Sequence, residues 1–432
     1  MNHVLILHYH EIWLKGGNKR FFLSRLIAGV KAALADLPVR SLRFTAERLL
    51  LYPADVSAIP LMVERLQRVF GLAYVALARE VPGSIQELRS VACDLMVARM
   101  PKTFAVRAKI AASDYPLNSM ELERDLGQAV LDRLRASDPG VQVNLRVPEA
   151  TCYVEVIPGA ALLYVDRHDG PGGLPAATSG RLVTLLSGGF DSAVAAYKMM
   201  RRGGHVTFAH FFGNPSPSHG PSTSVAREIV RRLTPYQFTS RLYLIPFDAI
   251  QRRIVSDAPE RFRVLLYRRM MTRIAHEIAR AERALGLVTG DCVSQVASQT
   301  LHNLAAMDHA LGVTIYRPLA GEDKTEILGI ARKIGTYRIS CEPFEDCCPR
   351  FMPKSPAIFA KAEELVQAES AFDIDSLVTA GLAAARVLDF KFEHGQVIEN
   401  EGWPRRFQKL VEFRRNASAA AGVNPSVAPA QP

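Results

Sequence analysis

The chain has 432 residues, of which 48% are hydrophobic and 22% charged, a balance typical of folded proteins with two or three domains. Six unevenly spaced cysteines argue against a disulfide framework, and no run of about 18 apolar residues predicts a membrane-spanning helix. The 53 lysine and arginine residues exceed the 43 acidic residues, and the net charge of +10 favours RNA, DNA or an anionic membrane as a partner, unless the arginines are scattered over the surface.

The first 58 residues have the pattern of a small α+β domain. A strand is predicted at 3–9, a helix in the sequence FFLSRLIAGVKAAL that follows it, and two more strands at 39–45 and 47–52. The basic turn before the helix is a candidate contact for RNA phosphates. Its contact residues are Lys15, Asn18, Lys19 and Arg20.

The short apolar N-terminus has no small-residue cleavage site, so we expect a cytoplasmic protein with reduced thiols.

A second domain is predicted over residues 59–168, where helices and strands alternate again. The predicted helices lie at 60–69, 84–98 and 118–134, and the predicted strands lie at 72–79, 103–109, 141–147, 151–157 and 161–165. Residues 169–180 are rich in glycine and proline and have no apolar periodicity, so they are predicted to form a linker.

The third domain is predicted over residues 181–410, as a parallel, doubly wound α/β sheet. Its predicted strands lie at 182–186, 205–212, 241–245 and 285–289, and its predicted helices lie at 191–202, 222–233, 262–281 and 324–334. Ligands of such sheets bind beyond the carboxyl ends of the strands, where the sequence SGGFDS and the turn 289–291 both fall. The last residues, 411–432, are predicted to be a disordered tail.

The most informative segment is LVTLLSGGFDSAVAAY, an apolar strand that breaks at two glycines and restarts as a helix. Gly188 and Gly189 can adopt backbone angles closed to other residues and leave the loop amides open to an anion. The helix N-terminus and the hydroxyls of Ser187 and Ser192 add donors, so the segment predicts a pyrophosphate site for ATP. Asp191 fits either a helix N-cap or, as we favour, a Mg²⁺ anchor. A glycine-rich turn without a ligand is the structural alternative.

The phosphate loop GxxxxGK[ST] of kinases and GTPases is absent, so γ-phosphoryl transfer is not implied. SGGFDS instead resembles the pyrophosphate loop of the N-type ATP pyrophosphatases, which cleave ATP between the α and β phosphates and adenylate a carbonyl oxygen. To about residue 410, the chain resembles the bacterial tRNA 4-thiouridine synthetases, or tRNA uracil 4-sulfurtransferases. The motifs that carry this resemblance are, in order, HYHEIWLKGGNKRFF, SGGFDSAVAAYKMMRRG, RRMMTRIA, TGDCVSQVASQT and RPLAGEDKTEI.

This resemblance implies a ferredoxin-like α+β domain, a THUMP RNA-binding domain and a pyrophosphate-loop ATPase domain. It implies an enzyme that uses ATP and Mg²⁺ to thiolate the uridine at position eight of tRNA, with a cysteine desulfurase as sulfur donor and a homodimer as the assembly. Binding of tRNA by shape and phosphate contacts should weaken steeply as salt rises.

The resemblance also implies a set of nucleotide contacts in the loop after the first strand and in the later motifs. They are Leu185, Leu186, Ser187, Gly188, Gly189, Asp191, Ser192, Arg268, Gly290 and Gln299. Lys324 would stabilise the adenylate or pyrophosphate. The family often has lysine where this chain has Arg268, which also fits a solvated arginine-rich helix face or a grip on tRNA phosphates. Gln299 fits a cap or a surface amide as well.

Three cysteines, Cys341, Cys347 and Cys348, lie in the sequence ISCEPFEDCCPRFMP. A thiolate or persulfide on a proline-flanked loop suits sulfur transfer, and Cys347 matches the family's cysteine in this domain. Cys348 could resolve a disulfide or carry the persulfide instead, while buried thiols or a metal-cluster remnant are the structural alternatives. The chain has no counterpart of the rhodanese-like domain of longer family members, so we expect direct delivery of sulfur to Cys347.

Three other functions fit parts of the sequence. A pyrophosphate-loop ligase acting on a small molecule would form AMP without RNA. A non-catalytic RNA-binding protein would use only the first 168 residues, although the set of chemical groups around SGGFDS argues against a decayed site. A methyltransferase would need an adenosylmethionine-type glycine loop where this chain has SGGFDS.

Overall fold

A computed structural model describes residues 2–213, 221–309, 311–343 and 351–420. The chain forms two compact units, Met1–Gly173 and Leu174–Pro432. Within the described ranges, no helix is both long enough and apolar enough to cross a bilayer.

The N-terminal unit is built on one mixed sheet with helices packed against it. Its elements are β1 (Asn2–His8), α1 (Lys19–Ala33), β2 (Val39–Thr45), β3 (Arg48–Pro53), α2 (Ile59–Leu66), β4 (Tyr74–Val81), α3 (Ile85–Val97), β5 (Thr103–Ile110), α4 (Ser119–Arg135), β6 (Gln142–Val143), β7 (Ala150–Ile157), β8 (Ala160–Tyr164) and β9 (His168–Asp169). The strand order is β2-β3-β1-β4-β8-β7-β5-β6, with β9 also paired to β4.

The first four strands make a ferredoxin-like arrangement that is longer than predicted. β4 runs antiparallel to β1 from the pair His8 and Tyr74 to the pair Asn2 and Glu80. The predicted boundary after residue 58 therefore falls inside this sheet, because α2 and β4 were assigned to the following domain. Pairing between strands about 70 residues apart leaves no local signal in the sequence.

One predicted strand is much shorter in the structure. The apolar pattern at 141–147 predicted a full strand, but pairing stops after Gln142–Val143. The side chain of Asn144 accepts hydrogen bonds from the amides of Arg146 and Val147 at 3.0 and 3.1 Å, and this turn bends the chain away from the sheet.

The C-terminal unit is also built on one sheet. Its elements are β10 (Arg181–Leu185), α5 (Phe190–Arg201), β11 (His205–Phe212), α6 (Pro221–Gln237), β12 (Thr239–Pro246), α7 (Asp248–Asp257), α8 (Arg263–Glu282), β13 (Leu287–Val288), α9 (Leu301–Asp308), β14 (Ile315–Tyr316), α10 (Lys324–Ile334), α11 (Tyr337–Ser340), α12 (Ala362–Glu369), α13 (Ile374–Ala383), β15 (Arg386–Glu393), β16 (Gln396–Glu401) and α14 (Arg405–Ala420).

The predicted doubly wound parallel sheet is confirmed. The strand order is β14-β13-β10-β11-β12-β15-β16, and the first five of these strands are parallel. The hairpin of β15 and β16 adds an antiparallel edge that was not predicted. The order reverses between β10 and β13, and ligands of such sheets bind beyond the carboxyl ends of the strands at this point of reversal.

The predicted disordered tail is wrong for residues 411–420. These residues belong to α14, in which Phe407 and Val411 are 0% and 4% exposed. Phe407 packs on Tyr243 with ring centroids 4.9 Å apart, and Arg414 lies 3.0 Å from Glu277. Too few apolar residues follow Val411 for sequence periodicity to reveal the helix. Residues 421–432 lie outside the described residues.

The arginine cluster on α8 is mostly structural. Arg269 is 0% exposed and donates to both carboxylate oxygens of Glu369 at 2.8 and 2.7 Å. Arg273 also binds Glu369, at 2.8 Å. The arginine-rich segment is therefore buried at Arg269, whereas Arg261, in the short 3₁₀ turn just before α8, has a side chain that is 60% exposed.

Candidate functional site

The loop after β10 is held closed by its two serines. The backbone N–H of Ser187 donates to Ser192 Oγ at 3.1 Å, and Gly189 N–H donates to Ser187 Oγ at 3.3 Å. Gly188 and Gly189 are not among the glycines with positive φ, and Gly189 has φ −75°. The expectation that these glycines need special backbone angles is wrong. The physical role that remains for Gly188 and Gly189 is to leave no side chain in front of the loop amides.

Asp191 lies in the first turn of α5 but does not cap it. The N-cap is Gly189, and no side chain makes a cap hydrogen bond there. Asp191 instead pairs with Lys324, whose Nζ lies 3.1 and 3.0 Å from the two carboxylate oxygens. The side chains are 25% and 42% exposed, so both charges remain accessible to a ligand.

Lys324 is the first residue of α10, a position where the helix dipole disfavours a cation. Its Nζ also lies 4.4 Å from the centroid of the Phe190 ring, next to Asp191. Asp323 precedes it as the N-cap, and the backbone N–H of Asp323 donates to Glu326 at 3.0 Å. The starts of α5 and α10 therefore bring a carboxylate and a cation together beside the SGGFDS loop.

Gly290, which follows β13, lies directly against the start of α5. A Cβ atom on this residue would be 2.6 Å from the backbone nitrogen of Ser192 and 2.8 Å from the carbonyl carbon of Asp191. Distances this short to backbone atoms leave no room for any side chain. Gly290 thus allows the two strand ends to share one site.

Asp291 is the centre of a buried polar network and is 3% exposed. Oδ1 accepts hydrogen bonds from Arg268 and, at 3.2 Å, from Gln299 Nε2. Oδ2 accepts from Thr289 Oγ1 at 2.8 Å and from Arg317 Nε at 3.3 Å. Burial alone would raise the pKa of Asp291, but Arg268, Thr289 and Arg317 outweigh it and lower the pKa. Asp291 is therefore an ionised carboxylate with both oxygens used.

The structure thus brings Arg268 and Gln299 together through a residue that the sequence did not single out as a contact. Arg268 also donates to Ser298 Oγ at 3.2 Å, so its guanidinium is not part of a free basic face. The amide oxygen Oε1 of Gln299 is buried and has no hydrogen-bond partner among the described residues.

Leu185 and Leu186 lead from β10 into the loop, and Leu186 is 3% exposed. The carbonyl of Leu186 lies 2.9 Å from Nδ1 of His210, which is 1% exposed in β11. Nε2 of His210 lies 2.9 Å from Ser222 Oγ at the start of α6. Sequence reasoning missed His210, although a histidine within the apolar strand HVTFAHFF is a signal that could have found it.

The predicted sulfur-carrying residues, Cys347 and Cys348, lie outside the described residues. Cys341 is exposed at the end of α11, and Cys292, beside Asp291, donates from Sγ to the carbonyl of Glu322 at 3.2 Å. Cys152, in the N-terminal unit, is completely buried, and burial raises its pKa to about 12, so it is not a nucleophile near neutral pH.

In the N-terminal unit, the predicted RNA-binding turn consists of short 3₁₀-helical turns over Glu11–Asn18, kinked at Gly16 (φ 48°), and is followed by α1. Lys19 Nζ lies 2.9 Å from Glu47 and 3.7 Å from the centroid of the Trp13 ring. Lys15 Nζ lies 5.0 Å from the Phe22 ring. Asn18 is the N-cap of α1 without a side-chain cap hydrogen bond, and Arg20 lies in the first turn. The turn therefore combines cations with exposed aromatic rings.

A pocket of about 420 Å³ opens beside this turn, within the N-terminal unit. The guanidinium of Arg167 lies 3.5 Å from the centroid of the Tyr153 ring and 4.6 Å from that of Tyr74. His8 stacks on Tyr74 with centroids 4.2 Å apart. Arg48, another lining residue, has a buried Nη2 without a partner among the described residues. Stacked rings and a guanidinium with one nitrogen donor left without a partner suit a base and a phosphate.

Glu155 sits at the base of this pocket and is 5% exposed. It binds Arg48, lies 3.2 Å from His8 Nε2 and accepts from the hydroxyl of Tyr164 at 2.7 Å. Burial alone would raise the pKa of Glu155, but His8 and Arg48 outweigh it and lower the pKa from 4.5 to about 2.

We expect the N-terminal unit to lose stability in acid because of Glu155. A lowered pKa gives stability that is complete above about pH 4.5 and is lost as the pH falls towards about 2. The loss should be about 3 kcal/mol. Urea unfolding followed through Trp13 in a Trp403→Phe protein measures it. A Glu155→Gln protein should lack this pH dependence, and an unchanged pH profile in that variant would contradict the assignment.

Comparison with known proteins gives concordant matches along the chain. A family model described as thiamine biosynthesis protein (ThiI) matches residues 177–374, a ThiI ferredoxin-like domain matches 4–76, and a THUMP domain matches 84–166. A probable tRNA sulfurtransferase of Thermus thermophilus is 42% identical over 387 residues, which cover 90% of this chain and 94% of that protein. A probable tRNA sulfurtransferase of Caldanaerobacter subterraneus is 37% identical over 378 residues, which cover 88% and 97%.

A solved structure also matches over nearly the whole chain. It is a crystal structure of a 4-thiouridine synthetase–RNA complex with bound ATP, with a TM-score of 0.78 and 30% identity. The match covers 92% of this chain and 100% of that chain.

Proposed function

The chain belongs to the tRNA sulfurtransferase family, and from this premise we propose that it adenylates O4 of a uridine in tRNA and replaces that oxygen with sulfur. The observation that carries the proposal is the meeting of Asp191, Lys324 and Gly290 at the carboxyl ends of β10 and β13. The ATP bound in the related 4-thiouridine synthetase structure supports the choice of nucleotide. The uridine would be the one at position eight, as the family resemblance implies.

In the first step, O4 of the uracil ring would attack the α-phosphorus of ATP, and pyrophosphate would leave. The amides of the SGGFDS loop and the N-terminus of α5 would hold the phosphates. Lys324 would leave Asp191 and bind the phosphates, on which negative charge develops. The phosphate charge would offset the unfavourable position of this cation at a helix N-terminus more strongly than one carboxylate does. Such a group, placed where charge develops, contributes to the rate of the step.

Asp191 would then be free to bind Mg²⁺ together with phosphate oxygens, the ligand set that this ion prefers. Among the described residues, no group of three or more histidine, cysteine or acidic side chains could hold a metal ion. A Mg²⁺ ion needs no such cluster if it binds through one carboxylate and the oxygens of the nucleotide. When bound, the ion would neutralise phosphate charge.

In the second step, a persulfide on Cys347 would attack C4 of the adenylated ring. A carbon–sulfur bond forms, the carbon–oxygen bond breaks and AMP leaves. A neighbouring thiolate, from Cys348 or Cys341, would then attack the sulfur of Cys347. This attack releases 4-thiouridine and leaves a disulfide, which a cellular thiol reductant would reduce with two electrons. A cysteine desulfurase would supply the sulfur, and the enzyme would act as a homodimer.

Binding of tRNA would use the N-terminal unit. The turn with Lys15, Lys19 and Trp13 and the pocket around Arg167 offer cations and stacking surfaces together. The related 4-thiouridine synthetase was crystallised in complex with RNA, which supports RNA as the ligand. Contacts of this kind follow phosphates and unpaired bases, so tRNA affinity should fall steeply with salt concentration.

The experiment that tests the proposal is release of AMP from labelled ATP, with and without unmodified tRNA. We expect AMP only when tRNA and Mg²⁺ are both present. An Asp191→Ala protein should release AMP at least about 100-fold more slowly, because the Mg²⁺ ion that would hold the phosphates loses its carboxylate ligand. AMP formation that is independent of RNA would favour a small-molecule ligase, and RNA binding without any AMP would favour a non-catalytic protein.

We expect Gly290→Ala to slow AMP formation about 100-fold, because a methyl group there must push the start of α5 out of place. The measurement is the same AMP assay with saturating tRNA. Gly329→Ala is the matched control, since Gly329 lies in α10 and an added Cβ would meet nothing within 4 Å. The control should keep full activity and gain about 0.5–1 kcal/mol of stability. Full activity of Gly290→Ala would contradict the proposed convergence of the two loops.

A further inference from the structure

Asp291 decides the orientation of the Gln299 side-chain amide. An ionised carboxylate can only accept hydrogen bonds, so the nitrogen Nε2 of Gln299 must face Oδ1 of Asp291, 3.2 Å away. The opposite end of the amide, Oε1, is then an acceptor, and it is buried without a partner among the described residues. A buried acceptor without a donor costs free energy, so a ligand that donates a hydrogen bond would be favoured there.

The backbone around Gln299 is already fixed by other contacts. The carbonyl of Gln299 accepts from the N–H of Ser294 at 2.9 Å, and its own N–H donates to Val296 at 2.8 Å. The next residue, Thr300, caps α9 by accepting from Asn303 N–H at 3.2 Å. The orientation of the side-chain amide is thus the remaining freedom at this position, and Asp291 removes it.

Asp291 has no capacity left to do anything else. Both of its oxygens are saturated by Arg268, Gln299, Thr289 and Arg317, and it is 3% exposed. A direct contact between this carboxylate and phosphates would in any case be repulsive. Its influence on a ligand must therefore act through the side chains that it holds.

We infer that Asp291 is a positioning residue for nucleotide recognition, which presents Oε1 of Gln299 to a hydrogen-bond donor on the bound nucleoside. That donor is either the 6-amino group of adenine or a ribose hydroxyl. The inference rests on the proposed function, because it needs ATP as the ligand.

Equilibrium binding of nucleotides to the full-length protein tests the role of Oε1. The probes are ATP, 2′-deoxy-ATP, 3′-deoxy-ATP and the triphosphate of purine riboside, which lacks the 6-amino group. We expect the wild-type protein to bind one of the analogues about 10-fold more weakly than ATP, and Gln299→Leu to bind ATP as weakly as that analogue. The analogue that Gln299→Leu no longer distinguishes from ATP identifies the donor. Equal discrimination by both proteins for every analogue would overturn the inference.

Asp291→Asn tests the positioning role with a side chain of almost the same shape. An asparagine offers a donor as well as an acceptor, so it no longer forces one orientation on the Gln299 amide. Discrimination between ATP and the identified analogue should fall from about 10-fold to about 2-fold. A merely structural role would weaken all nucleotides equally and leave the discrimination unchanged, which would overturn the inference.

Circular dichroism of the free protein shows whether Asp291→Asn has folded. If it has not, the binding data for Gln299→Leu alone decide whether Oε1 of Gln299 contacts the nucleoside. A wild-type protein that binds no ATP would instead contradict the proposed function. Binding of ATP without discrimination contradicts only the role given to Gln299 and Asp291.

Discussion

A Cys347→Ser protein is expected to form AMP from ATP and tRNA but to produce no detectable 4-thiouridine. The serine hydroxyl cannot carry a sulfane sulfur, whereas the proposed adenylation step would use other residues, Asp191, Lys324 and the SGGFDS loop. The measurement pairs AMP release with the absorbance of 4-thiouridine in the recovered tRNA. Normal thiolation by this variant would remove Cys347 from the mechanism.

Cys348→Ser and Cys341→Ser are the matched variants. Cys341 is exposed at the end of α11, six residues before Cys347 in the sequence, and is accessible to a partner thiol. The cysteine that resolves the intermediate should be needed for release of the product, so its replacement should trap tRNA as a mixed disulfide that dithiothreitol releases. The other replacement should leave thiolation within about 2-fold of wild type. Trapping in neither variant would contradict resolution by these thiols.

A Glu369→Gln protein is expected to lose about 3–5 kcal/mol of stability in the C-terminal unit. Glu369 is 4% exposed and compensates the completely buried Arg269 and the nearby Arg273. Removing its charge leaves two guanidinium groups in a low dielectric without a counter-ion. Urea unfolding of a Trp13→Phe protein, which keeps Trp403 as reporter, measures the change.

Glu364→Gln is the control for this prediction, because Glu364 binds Arg261 at 3.0 Å with side chains 36% and 60% exposed. Solvent screens such a pair, so the change should stay within about 1 kcal/mol. Similar losses in the two variants would mean that burial does not set the strength of these pairs. The lowered pKa of Glu369, which Arg273 and Arg269 cause against the effect of burial, adds a loss of stability as the pH falls below about 4.5.

Local patterns predicted the parts of the fold that depend on neighbours in sequence. The strand and helix around SGGFDS and the helix that begins at Lys324 appear as expected, since apolar periodicity and glycine breaks act over a few residues. The carboxyl-end rule also placed Gly290 beside the loop region, because it follows from sheet topology alone.

Long-range contacts account for what the sequence could not provide. The Asp291 network joins side chains from α8, the loop after β13 and the segment before α10, and no periodicity links them. The same is true of β4, which completes the first sheet by pairing with β1, and of α14, which is fixed by packing on Tyr243. At Gly188 and Gly189 the strand–loop–helix pattern was predicted, but the backbone angles expected of these two glycines were wrong.

The strand order of the C-terminal unit has a consequence for the order of events during synthesis. β10 emerges from the ribosome first, but its neighbour β13 begins at Leu287 and the Lys324 partner of Asp191 comes later still. The SGGFDS loop therefore lacks β13 and α10 as neighbours until more than a hundred further residues have been made, and pairing across such separations is slow. Nascent chains that stall before Leu287 would expose the edge of β10 that β13 later covers, and we expect them to be targets for chaperones and proteases.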